Sequence, residues 1–153
     1  MELTVGMAEY KIGNINNILI TGGLGSCVAV CIRCEKTGNG FLFHGILPSY
    51  KNKNCQGNLL KFIDSGLYIA LSDFYRYNHH MLTAKIFGGA NLAGFRNKDI
   101  GYENTASIRK ILKEEGIKII EEDVGGNFGR NIEFNLRTGI VYVSTLNNGC
   151  YCL

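Results

Sequence analysis

Apolar residues alternate with others at Leu3, Val5 and Met7, and Ile18 and Ile20 repeat that spacing a little further on. A period of two lines one face of an extended chain, so residues 1–10 and 17–21 are predicted to be strands. From Val28 to Ile32 and from Phe41 to Leu47 the chain turns apolar, with β-branched and aromatic residues that favour strands. The Gly38-Asn39-Gly40 turn between them predicts a hairpin. The period then lengthens. Leu60, Ile63, Leu67, Ala70, Leu71 and Phe74 recur at three and four, with Lys61, Asp64, Asp73 and Arg76 among the polar positions, which predicts an amphipathic helix over residues 58–77. Residues 81–87 read as a strand ending in Gly88-Gly89, and Asn104-Thr105 is predicted to cap a second helix over 106–115 that Gly116 stops. Residues 117–122, 131–135 and 140–145 complete the strands, with a loop at 123–127 and a turn at Arg137-Thr138-Gly139. Many strands, few helices and no regular βαβ alternation predict an α+β fold with mixed sheets.

Composition narrows the class. The 153 residues, 46% hydrophobic and 19% charged with twenty glycines and one proline, fit a single globular domain without repeats or low-complexity linkers. The net charge of +3 is spread among interspersed acids and bases, which argues against a nucleic-acid partner. The uncharged stretch 17–32 is broken by Thr21, three glycines and Ser26 and falls short of the roughly 20 apolar residues of a membrane helix. The opening Met1-Glu2-Leu3-Thr4 has an acid where a signal peptide carries basic charge, so a cytoplasmic protein with six reduced thiols is expected. Cys31, Cys34, Cys150 and Cys152 form a C-x-x-C and a C-x-C. Together they suggest a four-thiolate metal site, but the second spacing does not suit a zinc knuckle and the tail is expected to fray. No metal is expected.

The stretch Thr21-Gly22-Gly23-Leu24-Gly25-Ser26-Cys27 places three glycines ahead of one thiol. Histidine is scarce, and His44 lies on the second strand of the predicted hairpin. Antiparallel pairing brings the start of the first strand beside the end of the second, so Cys27 and His44 are expected to meet. A histidine can take the thiol proton and let the sulfur attack a carbonyl carbon, while backbone N–H groups at Gly25 and Ser26 stabilise the oxyanion. Two readings stay open on the residues alone. A helix after Ser26 would align Cys27, Cys31 and Cys34 on one face, whereas the strand favoured by Val28, Val30 and Ile32 points Cys34 away. A buried cysteine beside a hydrogen-bonded core histidine would look the same. His79-His80 reads as an exposed helix end. The tyrosines and Phe74 of the long helix read as packing, and Gly125, Gly126 and Gly129 as loop geometry without the G-K-[ST] of a phosphate loop. Asn127, Arg130 and Asn131 fall near the mouth of the site without assigned roles.

The motifs T-G-G-L-G-S-C-V-A-V-C at 21–31, H-G-I-L-P at 44–48, K-I-F-G-G-A-N at 85–91 and E-E-D-V-G-G-N-F-G-R-N-I-E-F-N-L-R-T-G at 121–139 occur in order. In these the chain strongly resembles the chemoreceptor glutamine deamidases of the CheD family. The resemblance implies Cys27 as nucleophile, His44 as general base and Thr21 as the residue that orients the histidine. It implies nested mixed sheets flanked by helices, distantly akin to papain-like hydrolases and toxin deamidases. The implied substrate is glutamine side chains on the cytoplasmic helices of chemoreceptors, without a cofactor and with methylesterase activity as a companion. The implied partner is a CheC-type phosphatase, and the alternative role is a non-catalytic module regulating that phosphatase. Two places depart from the family pattern: Gly45, where many relatives carry a bulky residue, and Glu103 in Ile100-Gly101-Tyr102-Glu103-Asn104, where they read I-G-x-R-N.

Overall fold

The computed structural model describes residues 1–50, 57–76, 81–94 and 99–153; Tyr77 and His79-His80 lie outside the described residues. Among the described residues, ten strands and two α-helices form three layers. The strands are β1 (Glu2–Thr4), β2 (Glu9–Gly13), β3 (Ile18–Leu24), β4 (Val28–Cys34), β5 (Gly40–Gly45), β6 (Leu82–Gly88), β7 (Lys118–Val124), β8 (Arg130–Asn135), β9 (Val141–Ser144) and β10 (Cys150–Cys152). The helices are α1 (Ile63–Tyr75) and α2 (Ile100–Glu114). One sheet runs β1-β3-β8-β9-β10 and the other β2-β5-β4-β6-β7. Both are mixed, because β1 joins β3 and β7 joins β6 in parallel while the other pairs are antiparallel.

The second sheet is the middle layer, and β4 shows why its sequence reads as an unbroken apolar run. Successive side chains of a strand point to opposite faces. Val28, Val30, Ile32 and Cys34 join the core under the helices, with Ile63, Leu67, Leu71, Phe74, Ile108 and Leu112. Ala29 and Cys31 face the other way, into a core shared with Leu19, Leu24, Ile132, Phe134 and Val143 of the first sheet. Each fully buried Phe, Leu or Ile in these cores contributes about 1.5–3 kcal/mol. This is the α+β architecture of mixed sheets expected from the strand pattern, with both helices on one face of the middle sheet. Among the described residues no helix is long and apolar enough to cross a membrane.

Five local expectations are corrected. The alternation at Leu3, Val5 and Met7 does not continue as one strand: the chain turns at Met7-Ala8, Ala8 takes φ 55°, and β2 follows on the neighbouring sheet. The long helix starts at Ile63, because Phe62 is extended (φ −101°, ψ 135°) and separates it from a 3-10 turn at Leu59–Lys61 capped by Asn58. The second helix starts six residues earlier than expected, at Ile100, where the Asp99 side chain accepts the Tyr102 N–H. Asn104 and Thr105 are therefore buried interior residues of α2, not its cap. The tail is β10, paired with β9. The strand at 117–122 runs on to Val124, into the expected loop.

The cysteines separate accordingly. Cys31 and Cys34 are buried on opposite faces of β4, and Cys150 and Cys152 are exposed on the outer sheet. The fold does not assemble a four-thiolate site from them.

Candidate active site

Thr21 lies on β3, His44 on β5, and Cys27 ends the loop into β4. In the β4–β5 hairpin Ala29 pairs with His44 and Val28 with Gly45, so Cys27, two residues before Ala29, lies diagonally across from His44 on the same face. The strand expected over Val28–Ile32 holds and runs on to Cys34, and the hairpin turn positions His44.

The glycine-rich approach is a β-bulge. Thr21 pairs with Ile132 and Leu24 with Arg130, so between these pairs Gly22 and Gly23 on β3 stand against Asn131 alone on β8. Gly23 carries the bulge at φ 69°, and its N–H donates to Asn131 Oδ1 at 3.0 Å. Beyond the bulge, three successive carbonyls of the loop are each tied down. Gly25 O accepts Ala90 N–H at 2.8 Å and Cys27 O accepts Gly89 N–H at 2.8 Å. Ser26 O accepts from Asn104 Nδ2 at 2.9 Å, and the same amide nitrogen donates to Ile46 O at 2.9 Å. Gly88 lets β6 come this close: it sits at φ 100°, and a Cβ there would fall 2.3 Å from Cys27 O. The Gly25 N–H is engaged by Gly23 O at 3.0 Å.

His44 is fully buried, and its tautomer follows from its neighbours. Thr21 Oγ1 donates its one proton to Val5 O at 2.7 Å. It therefore accepts at the 2.8 Å contact with His44 Nδ1, which must carry the hydrogen. Nε2 is left as the unprotonated nitrogen, and it is buried without a hydrogen-bond partner. Burial lowers the His44 pKa to about 4. Burial also raises the pKa of the half-buried Cys27 thiol, against a smaller opposing effect of its own backbone N–H. Burial thus favours a neutral thiol and a neutral imidazole, and the uncharged Thr21 beside the ring offers an imidazolium no counter-charge.

A second polar cluster braces the same corner. Arg130 forms a two-pronged pair with Asp123 (Nε to Oδ2 3.0 Å, Nη2 to Oδ1 2.9 Å), and its Nη1 donates to Gly125 O and Phe128 O. Tyr151 OH donates to Asp123 Oδ2 at 2.5 Å. The loop so held reaches the site through Gly125 N–H to Gly88 O and Asn91 N–H to Gly126 O. Next to Ser26 a cavity of about 210 Å³ opens between Leu92 and Ile100, both exposed. Sequence reasoning missed Asn104 in this arrangement. Its signal, a polar residue within the helical run of α2, was read as a cap.

The fold and this geometry define an α+β protein with a cysteine, a histidine and a threonine gathered at one end of its two sheets. Residues 46–145 match the family model described as CheD chemotactic sensory transduction. The chain belongs to the CheD family. It is 33% identical to the chemoreceptor glutamine deamidase CheD of Thermotoga maritima, over 97% of this chain and 95% of that protein. It is 38% identical to the probable chemoreceptor glutamine deamidase CheD of Caldanaerobacter subterraneus, over 96% and 94%. With the corresponding protein of Thermococcus kodakarensis the identity is 33%, over 97% and 96%. The family-model match begins just past His44, whereas these relatives match nearly the whole chain.

Proposed function

We propose that this protein is a cytoplasmic thiol amidohydrolase that converts glutamine side chains of chemoreceptors to glutamate. The observation that carries the reading is the His44 ring: Nδ1–H is fixed on Thr21, Nε2 is buried without a partner, and the hairpin register sets Cys27 diagonally across from this histidine. A core histidine kept for packing would have that nitrogen satisfied.

In this reading His44 Nε2 takes the Cys27 proton as the sulfur attacks the carboxamide carbon, and the carbonyl π pair moves to oxygen. With the Gly25 N–H engaged by Gly23 O, the oxyanion is left to the N–H groups of Ser26 and Cys27. The imidazolium protonates the departing nitrogen, the C–N bond breaks, and ammonia leaves behind a thioester. His44 then draws a proton from water, the hydroxide adds to the thioester, and the C–S bond breaks. The sulfur recovers the proton and the product is glutamate. The thiol and imidazole suffice for each step. A glutamate methyl ester would give the same acyl-enzyme with methanol as leaving group, so methylesterase activity accompanies the deamidase. The exposed Leu92 and Ile100 beside Ser26 suit contact with a receptor helix.

Intact-peptide mass spectrometry of a chemoreceptor cytoplasmic fragment tests the proposal, with Cys27→Ala and His44→Ala in parallel. Glutamine-to-glutamate conversion by wild type that vanishes in both variants is expected. Conversion that survives Cys27→Ala overturns the nucleophile. No conversion by wild type favours the regulatory module acting on a CheC-type phosphatase, which should bind Cys27→Ala as well as wild type.

A further inference from the structure

The three consecutive loop carbonyls are held by unlike donors. Those of Gly25 and Cys27 receive backbone N–H groups from the Gly89-Ala90 segment, which any sequence with that backbone would supply. That of Ser26 receives a side chain, Asn104 Nδ2 from α2. The Ser26 carbonyl and the Cys27 N–H belong to one planar trans peptide and point in opposite directions. A donor that fixes the one therefore aims the other. The Cys27 N–H lies against its own sulfur, where an attacked carbonyl would place its oxygen.

We infer that Asn104 is the positioning residue for the oxyanion donor: by clamping the Ser26 carbonyl it holds the Cys27 N–H toward the reacting carbonyl oxygen, and by clamping Ile46 O it keeps the His44 strand in register with that donor. The inference rests on the reading of Cys27 as nucleophile.

Three observations separate this from a packing role. Asn104 is the fifth residue of α2 and Asp99 already caps the helix, so its side chain is not needed there. Its amide is fully buried with Oδ1 unpartnered, which costs about 1–3 kcal/mol that an apolar residue would avoid. Both Nδ2 bonds run to backbone carbonyls flanking the candidate nucleophile and base, on two separate strand ends. A side chain that leaves one atom unsatisfied to serve these two carbonyls is placed for their geometry.

The test compares Asn104→Ala and Asn104→Leu with wild type and Cys27→Ala. Two quantities are measured: kcat and KM for glutamine-to-glutamate conversion on a receptor cytoplasmic fragment, and the rate of Cys27 alkylation by iodoacetamide against pH. Alkylation is followed on the Cys27 peptide because Cys150 and Cys152 are exposed and would react as well. Displacement of iodide builds no oxyanion, so it reports the thiol and His44 alone. The expected result is a kcat lowered by about 10²–10³ with KM little changed, the loss typical of one oxyanion donor. The alkylation rate and its pH profile should stay near wild type. An unchanged kcat overturns the inference, as does a kcat that falls together with alkylation. Asn104→Leu keeps the volume filled, so it serves if Asn104→Ala does not fold. Turnover that survives Cys27→Ala fails the nucleophile itself, and is distinguished because it appears without any change at Asn104.

Discussion

Arg130 and His44 are both buried polar residues on central strands, close to the same loop, and their surroundings differ. Each of the three Arg130 nitrogens has an acceptor, its guanidinium lies 4.2 Å from the centre of the Phe128 ring, and Asp123 takes a further bond from Tyr151. Burial pushes the Asp123 pKa up, but the bonds from Arg130 and Tyr151 outweigh it and hold the carboxyl below its ordinary value. His44 has one nitrogen bonded to Thr21 and the other bare, and Asn104 nearby leaves an oxygen bare. A closed network resists change of shape and of protonation. An open one is kept where a proton has to move. The corner thus joins a frame that is electrically finished to a pair that is not.

The largest expected effect breaks the frame. Arg130→Ala leaves the Asp123 carboxylate without its partner and two loop carbonyls without donors, and should cost about 3–5 kcal/mol. Urea unfolding measures it. Below the midpoint, the pH limbs of kcat/KM should not move, because Arg130 touches neither Cys27 nor His44. A loss under about 1 kcal/mol would show that the frame carries little strain and that the contrast with His44 is false.

Acid should act on the open pair. His44 ionises near its ordinary 6.5 when unfolded and at about 4 when folded. Between those values the unfolded chain binds more protons, so stability is full above 6.5 and declines as pH falls toward 4. At about 1.4 kcal/mol per unit, the decline amounts to about 3 kcal/mol. Carboxylates titrate in the same range, so the quantity to measure is the difference between wild type and His44→Gln, which should lack this part of the loss. The acid limb of kcat/KM should likewise fall well below 6.5. A limb at 6.5 or above would mean that burial does not depress the His44 pKa, and would overturn this account of the open pair.

The hairpin that joins the pair was legible in sequence because its evidence is local: Val, Ile and Phe runs about a glycine turn. So was the division of Cys31 and Cys34 between two faces, which follows from the period of two. What was not legible depends on contacts distant in sequence. A Cβ at Gly101 would fall 2.3 Å from Gly89 O, so this glycine admits α2 against the 88–90 segment, a contact no local pattern announces. Without that contact the sequence predicts too late a start for the helix and makes Asn104 its cap. Strand β2 has intermediate burial over most of its length and no clear alternation, and only its pairing with β5 defines it. Phe62 breaks an otherwise helical pattern because the chain pairs there with Leu47. Thr21 gave no signal of its own. Its role was implied by family resemblance, since nothing local ties a threonine to a histidine 23 residues away.

That threonine offers the smallest and most pointed test of the contrast. Thr21→Val keeps the shape and removes the oxygen, which leaves His44 Nδ1–H and Val5 O each without a partner. The ring then loses its reason to hold the proton on Nδ1, and part of the population places it on Nε2, where it cannot accept from Cys27. One hydrogen bond is worth about 1–1.5 kcal/mol, so kcat should fall about tenfold, with a comparable loss of stability. Thr21→Ser restores the oxygen and should restore turnover. The outcome that matters is the pairing of the two variants. If Val and Ser behave alike, the hydroxyl does not set the tautomer and the bare Nε2 has another cause. If only Val fails, the open nitrogen at His44 is held open by a neutral acceptor, and the histidine is tuned by burial where Asp123 is tuned by charge.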